Sequence, residues 1–311
     1  MKVSVPRLFK RQRRNMSSTA EKPVGVVGLG LLGSAIVRCL LEGGLEVIGL
    51  DVDPGRPGEL ALDSASSPAE LAARADRIVL CLPGSPEVEE VCDGILDAAD
   101  RRVGLVVDCT TGDPLRSEAV AARMTGAGIA FVEAEVSGSS ELMLSGEAAL
   151  LVGAEPGSLE AAAELLDALS PVVFHLGPVG AGAKMKLVSN LAVGLNRLVL
   201  AEALYLAERV GVEPGALLEV LRAGPGHSRA GELKGGKMVK SDYSPEARLA
   251  QHLKDVELIL DLGDAAGADL PLSRLHRELL ARGVEEGLGE LDNSSIIEVL
   301  RNSPAREDGG E

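Results

Sequence analysis

The chain is almost without aromatic residues: no Trp, two Tyr and three Phe in 311 residues. Its core must therefore be built from Leu, Val, Ala and Ile. Cysteine is nearly as scarce. Cys39, Cys81, Cys92 and Cys109 form no C-x-x-C pair, and no Cys/His grouping has zinc spacing. They read as small buried hydrophobes in a reducing compartment, and no metal site is expected. No uninterrupted apolar run reaches the ~18 residues needed to cross a bilayer, so no membrane association is expected. Positive charge is outnumbered, 31 Lys and Arg against 47 Asp and Glu, for a net charge of −16. Such a surface repels phosphate backbones, which argues against nucleic acid as a partner. A local cationic pocket can still override that field for a small anionic substrate.

What the chain does have is length and apolar content. It exceeds what one small core normally holds, so two domains are expected, and 46% hydrophobic residues are enough to fill them. The first 22 residues stand apart, with Lys2, Arg7, Lys10, Arg11, Arg13, Arg14 and Lys22 against Glu21 alone. A basic, acid-poor leader is the composition of a mitochondrial transit peptide. A disordered tail, or a start at Met16, is the simpler reading, and a cytoplasmic location is expected.

Short apolar runs recur at Val24–Gly28, Glu46–Asp51, Arg77–Leu82, Gly104–Asp108, Ile129–Val132 and Ala148–Val152. Helical periodicity fills the spaces between them at Ser34–Leu41, Pro68–Ala75, Glu87–Ala98 and Leu115–Ala127. Strands alternating with helices, each strand apolar throughout, predict a parallel α/β sheet covered on both faces. After Gly182 the pattern turns wholly helical. Ala183–Gly211 is one leucine-rich stretch, followed by Pro214–Arg222, Pro245–Ala266 and Pro271–Glu286, each with Pro at its start. The expected layout is a basic tail (1–22), a nucleotide-binding domain (23–180), an all-helical domain entered through a long helix (181–302) and a polar tail (303–311).

Gly28-Leu29-Gly30-Leu31-Leu32-Gly33 follows the first of these strands and opens a helix. The first glycine permits the tight turn, the second the approach of a pyrophosphate, the third close helix–strand packing. The phosphates then sit at a helix N-terminus. Asp51 closes the second strand, 23 residues after Gly28. An acid there accepts from a ribose 2′-OH and repels a 2′-phosphate, which favours NAD over NADP. Asp53 competes for that role, Arg56 could greet a phosphate, and the acids could simply start the turn at Pro54-Gly55.

Lys186 and Asn190 lie four residues apart in the long helical stretch, on one face. Lysine shielded from water gives up its proton more readily, and an amide beside it can hold a substrate oxygen. Taken alone, a lysine at a helix start reads as well as a solvated side chain, and Lys184 is a rival. The loop Ser137, Gly138 and Ser139 follows a strand; a Gly/Ser turn can present backbone N–H groups as an anion nest for a carboxylate, or be an ordinary polar loop.

Six segments, in order over most of residues 24–300, resemble the β-hydroxyacid dehydrogenases, the family of 3-hydroxyisobutyrate dehydrogenase and tartronate semialdehyde reductase. Gly28 to Gly33 is similar to the family's G-L-G-x-M-G, and Cys81-Leu82-Pro83 to its M-L-P. Asp108-Cys109-Thr110-Thr111 with Pro114 resembles its D-x-S-T…P, and Glu133 through Ser139 its D-A-P-V-S-G-G. Gly180-Ala181-Gly182 through Lys186 and Asn190 resembles G-x-G-x-x-x-K-x-x-N-N, and Lys254-Asp255 the later K-D. The resemblance implies a Rossmann-type domain followed by an all-α, 6-phosphogluconate dehydrogenase-like domain. It implies Lys186 as catalytic lysine with Asn190, and substrate held at Ser137, Gly138 and Ser139. Leu82, Pro83, Thr111 and Lys254 are implied along the cofactor. A homodimer or homotetramer is implied as well. The sequence departs from the pattern at Glu133, Glu135, Ser139 and Ser189, all on the substrate side.

The expected activity is hydride transfer between NAD(P), with NAD preferred, and a small β-hydroxy acid or aldehyde acid. Reduction of another substrate such as an imine, 6-phosphogluconate-type activity and a non-catalytic NAD-binding role are the alternatives. Gly224 to Arg229 could close over the pocket, with Arg229 meeting an anion or solvent.

Overall fold

Residues 7–8 and 23–303 are described in a computed structural model of the chain. The rest of the basic leader, and residues 304–311 of the expected polar tail, lie outside the described residues. The chain divides into two compact units, with the division after Lys186.

The first unit carries nine strands among the described residues: β1 (Arg7–Leu8), β2 (Val24–Val27), β3 (Val47–Leu50), β4 (Asp63–Ser64), β5 (Arg77–Leu80), β6 (Leu105–Asp108), β7 (Ala130–Ser137), β8 (Ala149–Gly153) and β9 (Val173–Gly177). They form one sheet in the order β1-β9-β8-β7-β6-β5-β2-β3-β4. Helices α1 (Leu31–Glu42), α2 (Arg56–Glu59), α3 (Pro68–Arg74), α4 (Ser85–Leu96), α5 (Pro114–Gly126), α6 (Ser140–Leu144) and α7 (Pro156–Leu169) connect them. β2 shows why the strands read as unbroken apolar runs. Val24 and Val26 join one aliphatic layer and Val27 the opposite one, so neither face meets water. Side-chain caps set helix starts where the sequence offers them: Ser67 accepts from Glu70 N, and Asp113 from Leu115 N.

The second unit is all helical. It takes up α8 (Ala181–Val210) after Lys186 and continues with α9 (Pro214–Ala223), α10 (Arg229–Lys240), α11 (Leu249–Ala265), α12 (Pro271–Glu285) and α13 (Ile296–Arg301). Leu200, Leu204, Met238, Val256, Leu280 and Ile297 centre its core. The architecture is the expected one, a Rossmann-type α/β sheet followed by helices.

Several particulars differ from the expectation. β7 and β8 run antiparallel, as do β1 and β9, so the sheet is mixed. The link from Ser137 to Ala149 is too short for a helical crossover between parallel strands. Arg7–Leu8, expected within a disordered tail, pairs with Val173 and Phe174. β4, β9, α7 and α10 were not anticipated. α8 is long and apolar enough, by length and composition, to span a bilayer, although no unbroken apolar run of that length exists. The core helix of a soluble protein passes the same test, and Lys186 and Arg197 are buried within it.

Candidate active site

Most of the residues singled out in the first unit lie where neighbouring strands end. In the sheet order β3, β2, β5, β6, β7 the chain leaves at Asp51, Gly28, Leu82–Pro83, Thr111 and Ser137. These five strands are parallel, so all the exits share one edge. β2 lies between β3 and β5, where the connections part to either side. That switch point is where open α/β sheets bind ligands. With strands about 4.8 Å apart, Asp51 and Thr111 stand three steps, roughly 14 Å, from each other.

The glycine turn is forced. Gly28 has φ +87°, and a Cβ there would lie 2.2 Å from the Cys81 carbonyl oxygen. At Gly33 it would lie 1.9 Å from the Gly28 carbonyl oxygen. Gly30 is different: a Cβ would meet nothing within 4 Å. Its open face begins α1, which has no side-chain cap. The N–H groups of the first turn and the positive end of the helix are thereby left for an anion. An uncapped helix start behind an open glycine is the cradle a pyrophosphate needs, so these residues fit a dinucleotide. Leu29 is fully buried beneath the turn, Leu32 packs on the same layer, and Leu31 is exposed.

Asp51 is bound into the turn. Its Oδ2 accepts from Leu29 N at 2.6 Å and its Oδ1 from Asp53 N at 2.9 Å. Arg56, the group that could have greeted a phosphate, faces Asp53 at 3.6 Å and Glu59 at 3.5 Å. Further along, Leu82 N donates to Thr110 Oγ1 at 3.0 Å, with Leu82 half-buried and Pro83 exposed.

Lys186 lies one and a half turns into α8 and is 8% exposed. Its Nζ donates to the Val136 carbonyl at 2.5 Å, beside the Ser137 loop. Lys184 points elsewhere: it is exposed and pairs with Glu118 at 2.9 Å. Two further acids meet here. Glu133 and Glu135 alternate along β7 and share the face that carries Phe131 and Ser137. Glu133 Oε2 accepts from Gly180 N and Gly182 N at 3.0 and 2.9 Å, capping the start of α8. Burial pushes Glu133 up to about 7, aided by Asp108 and opposed by the backbone N–H groups of Ala183, Gly180 and Gly182. Glu135 Oε2 accepts from Thr111 Oγ1 at 2.8 Å. Burial and Glu133 push Glu135 well above the usual carboxylate range, against the pull of Lys186 and Thr111.

The Ser137–Ser139 turn is not the nest that the Gly/Ser sequence predicts. Gly138 has φ +153° and Ser139 is extended (φ −95°, ψ 173°), without the αR–αL alternation of a nest. The Ser139 hydroxyl caps α6, accepting from Leu142 N at 3.3 Å. Ser137 is half-buried at the end of β7.

In the second unit Asn190 Nδ2 donates to Asp255 Oδ2 at 3.2 Å, and Lys254 Nζ is 3.6 Å from Asp255 Oδ1. Asn190, Lys254 and Asp255 therefore form one polar group. Arg229 opens α10 and bonds to Glu232 at 3.0 Å.

Comparison with known proteins agrees with this geometry. Residues 23–177 match the NAD binding domain of 6-phosphogluconate dehydrogenase. Residues 180–300 match the family described as NAD-binding of NADP-dependent 3-hydroxyisobutyrate dehydrogenase. L-threonate dehydrogenase of Cupriavidus necator is 30% identical over 89% of this chain and 95% of its own length. The chain belongs to the β-hydroxyacid dehydrogenase family. Another relative, glyoxylate/succinic semialdehyde reductase 1 of Arabidopsis thaliana, is 32% identical over 90% of this chain and 99% of its own. The crystal structure of a 3-hydroxyisobutyrate dehydrogenase from Salmonella typhimurium superposes with TM-score 0.82 at 26% identity, covering 90% of this chain and all of that one. As a β-hydroxyacid dehydrogenase the protein is an NAD(P)-dependent oxidoreductase.

Sequence reasoning noted Glu133 and Glu135 only as departures, and missed them as members of the site. A signal existed: two acids at alternate positions in a strand otherwise apolar read as charge on a buried face. Thr110, which positions Leu82, was noted only as part of the Asp108 to Thr111 match.

Proposed function

We propose that this β-hydroxyacid dehydrogenase prefers NAD, acts on a small β-hydroxy acid or the matching aldehyde acid, and uses Lys186 for proton transfer. The observation that carries the reading is the buried Lys186 amine held against Val136 O, next to the loop in the substrate position. In this reading residues 23–180 form the cofactor-binding domain and residues 181–302 the all-helical substrate and oligomerisation domain. The bound dinucleotide would supply the acceptor or donor of hydride at the ends of β5 and β6. Gly28, Leu29, Gly30, Leu31, Leu32 and Gly33 hold its phosphates by backbone. Asp51 favours an unphosphorylated ribose, and the charge of Arg56 is offset by Asp53 and Glu59. Leu82, Pro83 and Thr111 line its path, and Lys254 is assigned to the cofactor as well.

Ser137 takes the substrate carboxylate, with Gly138 and Ser139 shaping the loop beside it. Asn190 holds the oxygen-bearing end, its amide oriented by Asp255. In oxidation Lys186 Nζ takes the hydroxyl proton; in reduction it returns a proton to the carbonyl oxygen. Proton transfer by a placed side chain contributes ~10²–10⁴-fold. Four free cysteines support a reducing, cytoplasmic setting; the basic leader keeps a mitochondrial one as the alternative.

The test is NADH formation over a panel of hydroxy acids, and NADH consumption over the matching aldehyde acids. Lys186→Ala is expected to lose ~10²–10⁴ in kcat/KM with cofactor binding retained. Equal turnover in the two proteins would remove Lys186 from the mechanism.

A further inference from the structure

The first unit buries three acids on β6 and on β7, the strand whose Val136 carbonyl receives Lys186. Asp108 and Glu133 are register partners on β6 and β7, and Glu135 follows on the same face. All three are at most 3% exposed. The titratable groups that face Glu135 are Glu133 on its own strand, Asp108 and Cys109 from β6 and its exit, Cys81 from the exit of β5, and Lys186 from α8. The two thiols are pushed up by burial, Cys81 to about 12, and stay neutral. Among these groups Lys186 is the cation, and its charge acts on Glu135.

The carboxyls are not equivalent. Glu133 is tied to the start of α8 by two N–H donors, an architectural task. Asp108 Oδ1 accepts from Thr110 N at 2.9 Å, within the turn that carries Thr111. Glu135 has one hydrogen bond, from Thr111, and its buried Oε1 has no partner. A buried carboxylate oxygen without a donor is costly when ionised. No turn or helix end depends on it. Its position is distinguished by Lys186, whose Nζ donates to the carbonyl of Val136, the next residue, and whose charge favours the ionised form of Glu135, and by Thr111 at the exit of β6.

We propose that Glu135 is a positioning residue that acts through Lys186: by gaining or losing a proton beside the amine, it sets the charge under which that amine exchanges its proton with substrate. This rests on the reading of Lys186 given above. While Glu135 is neutral, Lys186 is free to become the uncharged base that oxidation needs. Once Glu135 ionises, the ammonium form is favoured and the site is set for giving a proton to a carbonyl. An opposite charge within ~4–6 Å moves such an equilibrium by about 1–3 pH units.

Glu135→Gln keeps the shape and removes the titration. In the oxidative direction, kcat/KM of wild type and Glu135→Gln should coincide on the acid side. They should separate on the alkaline side, with the variant's rise displaced to lower pH by about one unit or more. Glu135→Asp should restore a pH-dependent separation from Glu135→Gln. Melting temperature against pH, measured without cofactor, reads the Glu135 titration independently of turnover and shows whether each variant folds. Profiles that superimpose, or differ by one constant factor at every pH, would overturn the proposal. A Lys186→Ala variant with full turnover would instead sink the reading of Lys186, and the two failures are thereby distinguished.

Discussion

Asp292 in the second unit and Glu135 in the first are both carboxylates removed from water, at 0% and 1% exposure. Their company differs. Asp292 accepts from Lys234 Nζ at 2.9 Å, Glu246 N at 3.1 Å, Ala247 N at 3.3 Å, and Ser294 N and Oγ at 3.1 and 2.7 Å. Burial opposes its charge, but Lys234 and Ser294 outweigh it and hold the group below the usual carboxylate range. Glu135 has one donor and an orphaned oxygen, and burial drives it the other way. The contrast separates two uses of buried charge. A saturated carboxylate ties a fold together, whereas a half-satisfied one beside a mobile proton is a chemical group held in reserve.

The contrast is sharpest in stability. Asp292→Ala takes one of two carboxylates from buried Lys234, the other being Glu246 at 2.7 Å. It also leaves the Glu246, Ala247 and Ser294 donors without their acceptor, and should cost about 3–5 kcal/mol in denaturant unfolding. Glu135→Gln should cost far less, because Thr111 Oγ1 is the donor it would disturb. Equal losses would erase the distinction.

The two groups should also respond oppositely to pH. Glu135 has its folded value raised above the unfolded 4.5, so its contribution is fully present below about 4.5 and is lost as pH rises through the folded value. Glu133 behaves alike between 4.5 and about 7. Hence the melting temperature of Glu135→Gln relative to wild type should climb as pH rises above about 4.5. Asp292 has its folded value lowered below 3.8, so its contribution is present above 3.8 and lost as pH falls through the folded value. The penalty of Asp292→Asn should shrink in acid, below about pH 4. Differences flat with pH in both variants would contradict the assignment.

Asp51 lies between these extremes, both oxygens bonded to backbone N–H groups of a ligand loop. Asp51→Asn should narrow the ratio of NAD to NADP affinity by about tenfold, or ~1.4 kcal/mol, read by fluorescence titration. The smallest effect belongs to Lys184, an exposed partner of Glu118. Lys184→Ala should cost at most about 1 kcal/mol of stability and leave turnover unchanged. A large loss of activity there would exchange the roles of the two lysines.

The strand ends that build the site were legible because each follows an unbroken apolar run, and Gly28 and Gly33 could be read from the packing they permit. The antiparallel turn into β8 was not, since apolarity carries no direction. α7 was legible in principle: Leu159, Ala162, Leu165, Leu166 and Leu169 make a helical stripe. α10 was not. It contains Gly231, Gly235 and Gly236, poor helix formers, and Gly235 packs on Leu218, a contact made only in the folded chain. The start of α11 was expected at Pro245 and falls at Leu249, because the backbone of Glu246 and Ala247 bonds to Asp292 instead. The start of α8 was legible from Gly180 to Gly182, but its contact with Glu133 on a distant strand was not.

The pleat of β7 carries a rule of parity. Phe131, Glu133, Glu135 and Ser137 alternate with Val132, Ala134 and Val136, which pack in the opposite aliphatic layer. One inserted or deleted residue ahead of Phe131 would exchange the two sets, sending three oxygen-bearing side chains into hydrocarbon and placing methyl groups beneath Lys186. Changes in length by twos keep the frame. Substitution in β7 leaves the frame intact, whereas its length is quantised.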